Sequence, residues 1–378
     1  MSEAQKQLLE VLRAALWGIK PNADLFKDVD WDAFVKLAKI QTVTGLMLDG
    51  ISLLPKNCMP DEDTIMELVG RTNKIEQHNQ LQCETIVKIK QVLESAHIPC
   101  VFMKGQTVAL RYPNPQHRQP GDIDFVVKKA DFKKTLGTLA TIGKVDRKLV
   151  HEHHGMAWVN GITVEPHYKV HNYQRPSTDR AMQEMFDGVF PSKLAYIDMT
   201  GCKVPIFPPT FESVFLISHM VNHIYEEGLG LRQVIDYATF LNKCASSIDW
   251  QNHDFYLHKM RMERAFRIFS CICVIYLGLS LPENIEPFSK KEKQWAAKMM
   301  ADIMNVGNFG RGAYVFHHNG WQDALRNYFW VSNRCIQLGF VCPSEARWWI
   351  ISKFTRFFWK KKIEKVRSTT SICTRKDN

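Results

Sequence analysis

Asp122 and Asp124, separated by Ile123 and followed by Phe125-Val126-Val127, are the residues of this chain best placed to do chemistry. Successive side chains on a strand alternate faces, so the two carboxylates point one way and Ile123 the other. Two carboxylates on one face suppress each other's ionisation unless a cation sits between them. Oxygen ligands of this kind suit Mg²⁺, which binds through one or two carboxylates plus substrate phosphates. Upstream, the apolar run Val101-Phe102-Met103 leads into Lys104 and Gly105. A glycine there lets backbone approach a phosphate, and the helix it opens aims free N–H groups at the anion. Arg118 lies in the loop with Pro113, Pro115 and Pro120 that runs directly into the acidic strand.

Lys104-Gly105, Tyr112-Pro113, Arg118 and Gly121-Asp122-Ile123-Asp124 resemble an uncharacterised nucleotidyltransferase family found in bacterial genomes. Its wider group is the polymerase-β-like superfamily, marked by an apolar strand, a glycine turn and a strand carrying Asp-x-Asp. The resemblance is sharp over residues 98–170 and fades outside them. It implies an enzyme that moves a nucleoside monophosphate from an NTP to an acceptor hydroxyl, using two Mg²⁺ ions, with Mn²⁺ as the alternative. It also requires a third carboxylate from a neighbouring strand. Ile162–Val170 fits a strand, and its Glu165-Pro166-His167 matches the family's Glu-x-His. Asp122, Asp124 and Glu165 are then the expected metal ligands and catalytic residues. Lys104, the backbone of Gly105 and Gln106, and Arg118 are the expected phosphate contacts. Gln106 departs from the pattern, because most of the superfamily carries a second glycine or a serine there. Asp146 and Glu152 compete for the third carboxylate, with poorer strand flanks than Glu165. Pro166 lacks a ladder donor, which predicts a sheet edge or a bulge.

Elements to position these residues follow from periodicity. The first hundred residues read helical: Leu8–Trp17, then Trp31–Leu54, then a long helix opening at Pro60-Asp61-Glu62-Asp63 and reaching about Ser95. Ile98–Met103 is the first core strand, and a short helix over Gln106–Tyr112 precedes the Asp-x-Asp strand. Ala130–Ile142 reads as a helix, and strands follow near Val145–Val150, Met156–Val159 and Ile162–Val170. From Thr178 onward only helices are expected: Phe211–Tyr225, Leu231–Leu241, Phe255–Leu279, Lys290–Met304 and Trp321–Leu338. Strands confined to the middle and flanked by helices predict an α+β fold, a small mixed sheet between two helical regions. The expected divisions are a helical region over 1–97, a nucleotidyltransferase core over 98–177, a helical bundle over 178–346 and a basic aromatic segment over 347–378.

Composition sets outer bounds. The 378 residues are 45% hydrophobic and 23% charged, the balance of a folded, soluble protein. The longest apolar stretch, Ile268–Leu281, is too short to span a bilayer. Ten cysteines include no Cys-x-x-Cys pair, and the polar N-terminus has no secretory leader, so reduced thiols in a cytosol are expected. Most of the net charge of +10 falls in residues 347–367, where aromatics and cations alternate. Such a segment suits an anionic membrane surface, single-stranded nucleic acid, or ordinary packing on the bundle.

Weaker constellations remain. His151, His153 and His154 cluster, but no cysteine or acidic partner completes a tetrahedral zinc set at standard spacing. His219 and His223 share a helix face without the glutamate of a zincin motif, which leaves a partly buried or substrate-facing pair. Arg232 and Asp236, also four apart, fit either an ion pair or a substrate contact. The rival to an enzyme is a non-catalytic nucleotide-binding protein on the same scaffold, contacting a membrane or partner through its basic tail.

Overall fold

The computed structural model describes residues 1–146, 153–312 and 320–355. Four helices come first: α1 (Glu3–Trp17), α2 (Trp31–Gln41), α3 (Thr44–Ile51) and α4 (Glu62–Ser95). The apolar stretch Trp31–Leu54 is two helices because Thr42 adopts a left-handed cap, φ 55°. Asp61 caps α4, its side chain accepting from the Thr64 N–H, and Glu62 and Asp63 occupy the positive end of the helix dipole. Along α4 the buried positions Leu68, Thr72, Ile75, Asn79, Gln82, Ile86, Ile89 and Leu93 recur every three or four residues. That stripe turns polar at Asn79 and Gln82, where the proline-rich loop lies against it.

The sheet has seven strands in the order β3-β4-β5-β2-β1-β7-β6. They are β1 (Val101–Met103), β2 (Ile123–Val126), β3 (Lys144–Asp146), β4 (Met156–Val159), β5 (Ile162–His167), β6 (Ala195–Met199) and β7 (Cys202–Ile206). Helices α5 (Gly105–Ala109), α6 (Phe132–Leu139) and α7 (Pro176–Val189) connect them. The α+β class stands, a mixed sheet with helices at both ends. The expectation of helices alone after Thr178 does not: β6 and β7 form a hairpin, and β7 lies parallel beside β1 with Phe102 opposite Ile206. The hairpin turns at Thr200-Gly201, both at positive φ, and Ile197, Met199, Val204 and Ile206 alternate as strand residues do. The sheet therefore extends past residue 177 to Ile206.

Pro166 is also not at an edge, since β5 runs between β4 and β2. The β4–β5 ladder accommodates it by breaking. Its pairs stop at Ala157–Val164, the Gly155 N–H donates to the Pro166 carbonyl at 2.9 Å, and pairing resumes as a single His154–His167 bridge. Proline cannot return the second bond of that pair.

The helices after the sheet are α8 (Pro209–Glu226), α9 (Leu231–Cys244), α10 (Trp250–Met260), α11 (Glu263–Leu277), α12 (Lys290–Val306) and α13 (Gly320–Leu338). The stretch Phe255–Leu279 is broken at Arg261, another left-handed cap. Residues 343–355 are helical, with Trp349 1% exposed in the main core, Trp348 and Phe354 exposed, and Lys353 paired with Glu226 at 3.0 Å. Phe357, Phe358, Trp359 and the lysines after them lie outside the described residues. No helix among the described residues is long and apolar enough to cross a membrane.

Candidate active site

Strand register brings the acidic residues together. β2 runs parallel to β5 with Asp124 opposite Glu165, and antiparallel to β1 with Asp124 opposite Met103. Lys104, the next residue, takes φ 59° and ψ −159°, a conformation nearly reserved for glycine. That backbone costs about 1–3 kcal/mol and places the Lys104 Nζ 3.2 Å from Asp124 Oδ1. Gly105 follows at φ 51°, where a Cβ would touch the Asp122 carbonyl at 3.4 Å. Asp122 is exposed at the rim and Asp124 is 4% exposed at the floor of a cavity of about 290 Å³. Lys104, Gly105, Arg118, Asp122, Asp124 and Glu165 all line it; Gln106 does not.

Gln106 is buried on the other side of the turn. Its amide donates to Asn79 Oδ1 at 2.6 Å and Gln82 Oε1 at 2.7 Å. Those two α4 residues in turn hold the proline loop, Asn79 bonding the Gln116 and Arg118 carbonyls and Gln82 the Gly121 carbonyl. The side chain is thus a pin between α5, α4 and the loop, and its size fits that position rather than a phosphate.

Arg118 faces the cavity but its charge is matched. It makes a two-pronged pair with Asp236, Nε to Oδ1 at 2.7 Å and Nη2 to Oδ2 at 2.8 Å, and Tyr112 donates to the same Oδ1 at 2.7 Å. Arg232 and Asp236 therefore do not pair with each other. Arg232 donates to the carbonyls of Gln119 and Pro120 at 3.2 and 3.4 Å, has no carboxylate partner among the described residues, and lines the cavity. Burial and the nearby Arg118 pull its pKa down to about 10. His117, between Asp49 at 2.6 Å and Glu76 at 2.8 Å, fastens the loop's far end; its bond to Asp49 holds its pKa above the usual histidine value.

The opposite wall is histidine-rich. Sequence spacing marks His153, His154, His219 and His223 separately, but packing joins them with His167 and His171 into one run. Ring centroids step from His154 to His153 at 4.5 Å, His153 to His171 at 5.3 Å, His171 to His219 at 5.7 Å and His219 to His223 at 4.3 Å. His167 Nε2 lies 2.8 Å from Asp124 Oδ1. Burial, then the Lys104 charge, holds His167, His219 and His223 below the usual range, His223 at about 3, so these rings are neutral. Glu226, Glu227 and Phe309 close the rim and carry no motif that sequence reading could find. The corner that delivers them, Gly228 at φ 111°, packs where a Cβ would strike Val306 at 2.5 Å. Asp146, on the outer strand β3, does not line the cavity, and His151 and Glu152 lie outside the described residues.

Crowding raises two of the carboxylates. Burial, then Asp124 and Asp122, push Glu165 up to about 8, and the charge on Asp124 raises Asp122. Lys104 is held above its usual value, since Asp124, Asp122 and Glu165 outweigh the burial that opposes its charge. One oxygen or nitrogen from each of Asp124, Glu165 and His167 lies within 4.8 Å of the others.

Fold and site together define an α+β protein with an acidic cavity between a mixed sheet and a helical bundle. The chain belongs to the family described as "Uncharacterised nucleotidyltransferase", whose model matches residues 27–278, from before α2 through α11. No curated protein matches it. Among solved structures, an antigenic nucleotidyltransferase-like protein from Paracoccidioides brasiliensis aligns at 14% identity over 52% of this chain and 93% of that one. Its TM-score is 0.30, too low to bear on fold or function.

Proposed function

We propose that the protein transfers a nucleoside monophosphate from an NTP to an acceptor hydroxyl, on a polymerase-β-like core. The observation that carries this reading is the β1–β2–β5 register, which gathers Lys104, Asp122, Asp124 and Glu165 in one cavity. The raised pKa values of Asp122 and Glu165 express a need for a bound cation, and an all-oxygen pair fits Mg²⁺, or Mn²⁺, held by Asp122, Asp124 and Glu165. Such ions would neutralise the triphosphate and stabilise the attacking and leaving oxygens of an in-line displacement.

The chain's own residues divide the remaining work. Lys104 would turn from Asp124 to a phosphate oxygen, and Arg232, with no carboxylate partner among the described residues, supplies the second positive charge. Arg118 and Asp236, locked together, position the loop rather than touch the nucleotide. Glu165, opposite Asp124 on the neighbouring strand, would take the acceptor proton. Most of the rate enhancement would then come from orientation and fixed charges.

The test is a screen of the purified protein with labelled NTPs and a metabolite extract, with and without Mg²⁺. A Mg²⁺-dependent labelled product supports transfer. Nucleotide binding without turnover of any NTP would replace it with the non-catalytic role.

A further inference from the structure

We propose that His153, His154 and His167, with Glu165 as fourth ligand, form a binding site for a zinc-class transition-metal ion beside the all-carboxylate position. One ring nitrogen from each of the three histidines lies within 4.8 Å of the others. His153 Nε2 and His154 Nδ1 approach to 3.1 Å, and Glu165 Oε2 lies 3.7 Å from both His154 Nε2 and His167 Nε2. Ligands at about 2.0–2.1 Å from a tetrahedral zinc sit roughly 3.4 Å apart; with His154 binding through Nδ1 alone, the His153 Nε2–His154 Nδ1 and His167 Nε2–Glu165 Oε2 separations lie on either side of that value.

The backbone also holds the three rings in place: His154 and His167 form a strand bridge, and the Tyr168 N–H donates to the His153 carbonyl at 3.0 Å. Imidazole nitrogens select zinc, copper, iron or nickel, whereas oxygen sets select magnesium. The two positions, sharing Glu165 and meeting at His167, whose Nε2 lies 2.8 Å from Asp124 Oδ1, would therefore hold different metals. This assignment borrows Glu165 from the proposed active site but does not need nucleotide transfer to be correct.

The experiment uses the full chain without a histidine tag, stripped with EDTA and titrated with Zn²⁺ by calorimetry. One tight equivalent is expected, undisplaced by a large excess of Mg²⁺. His153→Gln and His154→Gln, tested singly and checked for folding by circular dichroism, should each weaken Zn²⁺ by at least about 100-fold, more than loss of a merely supporting contact costs. X-ray absorption on the zinc-loaded protein should show imidazole scattering. No tight equivalent in the wild type, or a folded variant of either histidine that binds Zn²⁺ within about tenfold of it, overturns the site. Asp122→Asn separates the two readings. It should lose Mg²⁺-dependent transfer and keep Zn²⁺. Transfer without a zinc equivalent sinks only this inference, and zinc binding without transfer sinks only the nucleotidyltransferase reading.

Discussion

The two faces of the central sheet come from the same few strands and do opposite things. Toward α4 and α6, Phe102, Ile123, Phe125, Val127, Ile162 and Val164 meet Ile86, Ile89, Leu93 and Leu139 in an apolar cluster. Toward α8 and α9, the alternate positions Asp122, Asp124, Glu165 and His167 face the cavity, while Val101, Met103 and Val126 join the larger helical core. Neighbouring residues thus belong to different tasks, and parity alone assigns them. A one-residue slip of β2 would bury both aspartates in the apolar cluster and empty the site, so the hydrophobic pattern that stabilises one face also fixes the chemistry of the other.

Adjacent substitutions should break this pairing most sharply. Asp124→Asn is expected to lower transfer by on the order of a thousandfold or more, the scale seen when a key charge-stabilising group is removed. Its fold should survive, because losing one carboxylate relieves repulsion on Asp122 and Glu165. Single-turnover rates beside thermal melts check this. Near-normal Mg²⁺-dependent activity would end the carboxylate assignment.

Phe125→Ala, one residue on, should do the reverse. Phe125 is 0% exposed, and its truncation should cost about 3–5 kcal/mol in chemical denaturation. The folded fraction should keep its Mg²⁺-dependent rate. Trp349, equally enclosed in the bundle, predicts that deleting residues from Arg347 onward also lowers the melting temperature sharply. A truncated chain that melts like the full one would make the C-terminal helix an appendage.

The contrast between faces also explains what was legible. Lys104-Gly105 and Asp122-Ile123-Asp124 could be read because local spacing and strand parity carry their geometry, and Glu165 because apolar neighbours marked its strand. The β6–β7 hairpin was hidden: its turn is Thr200-Gly201, a weaker signal than the Asn160-Gly161 between β4 and β5. Glu226 and Glu227 reach the cavity only through packing of the end of α8 against the sheet, which no local pattern records, and His171 enters from the segment after β5. The side-chain partners of Arg118 and Gln106 were hidden for the same reason. Their partners, Asp236 at one and Asn79 and Gln82 at the other, come from α9 and α4.

A buried carboxylate remote from the sheet gives a smaller effect with a definite sign. Glu345 donates no charge to the cavity; it accepts from Thr178, and burial pushes its pKa up to about 7. The folded state then binds this proton more tightly than the unfolded chain, whose value is near 4.5. Its contribution to stability is fully present below pH 4.5 and is lost as pH rises through 7. The upper bound is about 3 kcal/mol. Glu345→Gln should flatten that slope in urea titrations across the window. An unchanged slope would show that Glu345 is not the group responsible.

The smallest expected effect decides what Gln106 does. Gln106→Ser introduces the residue type common in the superfamily that the sequence resembles, and it would help catalysis if the side chain at position 106 touched phosphate. The hydrogen bonds to Asn79 and Gln82 argue otherwise. Losing them leaves two buried carbonyl oxygens without their donor, which should cost about 1–3 kcal/mol. It should also loosen the loop that those residues hold through the Gln116, Arg118 and Gly121 carbonyls. The expected signature is a modest fall in melting temperature with a KM for NTP changed only a fewfold. Asn79→Ala should give the same pattern, and the double variant should fall short of additivity, because both substitutions remove one bond. A large rise in KM with the melting temperature untouched would return Gln106 to the phosphates and make its contact with α4 incidental.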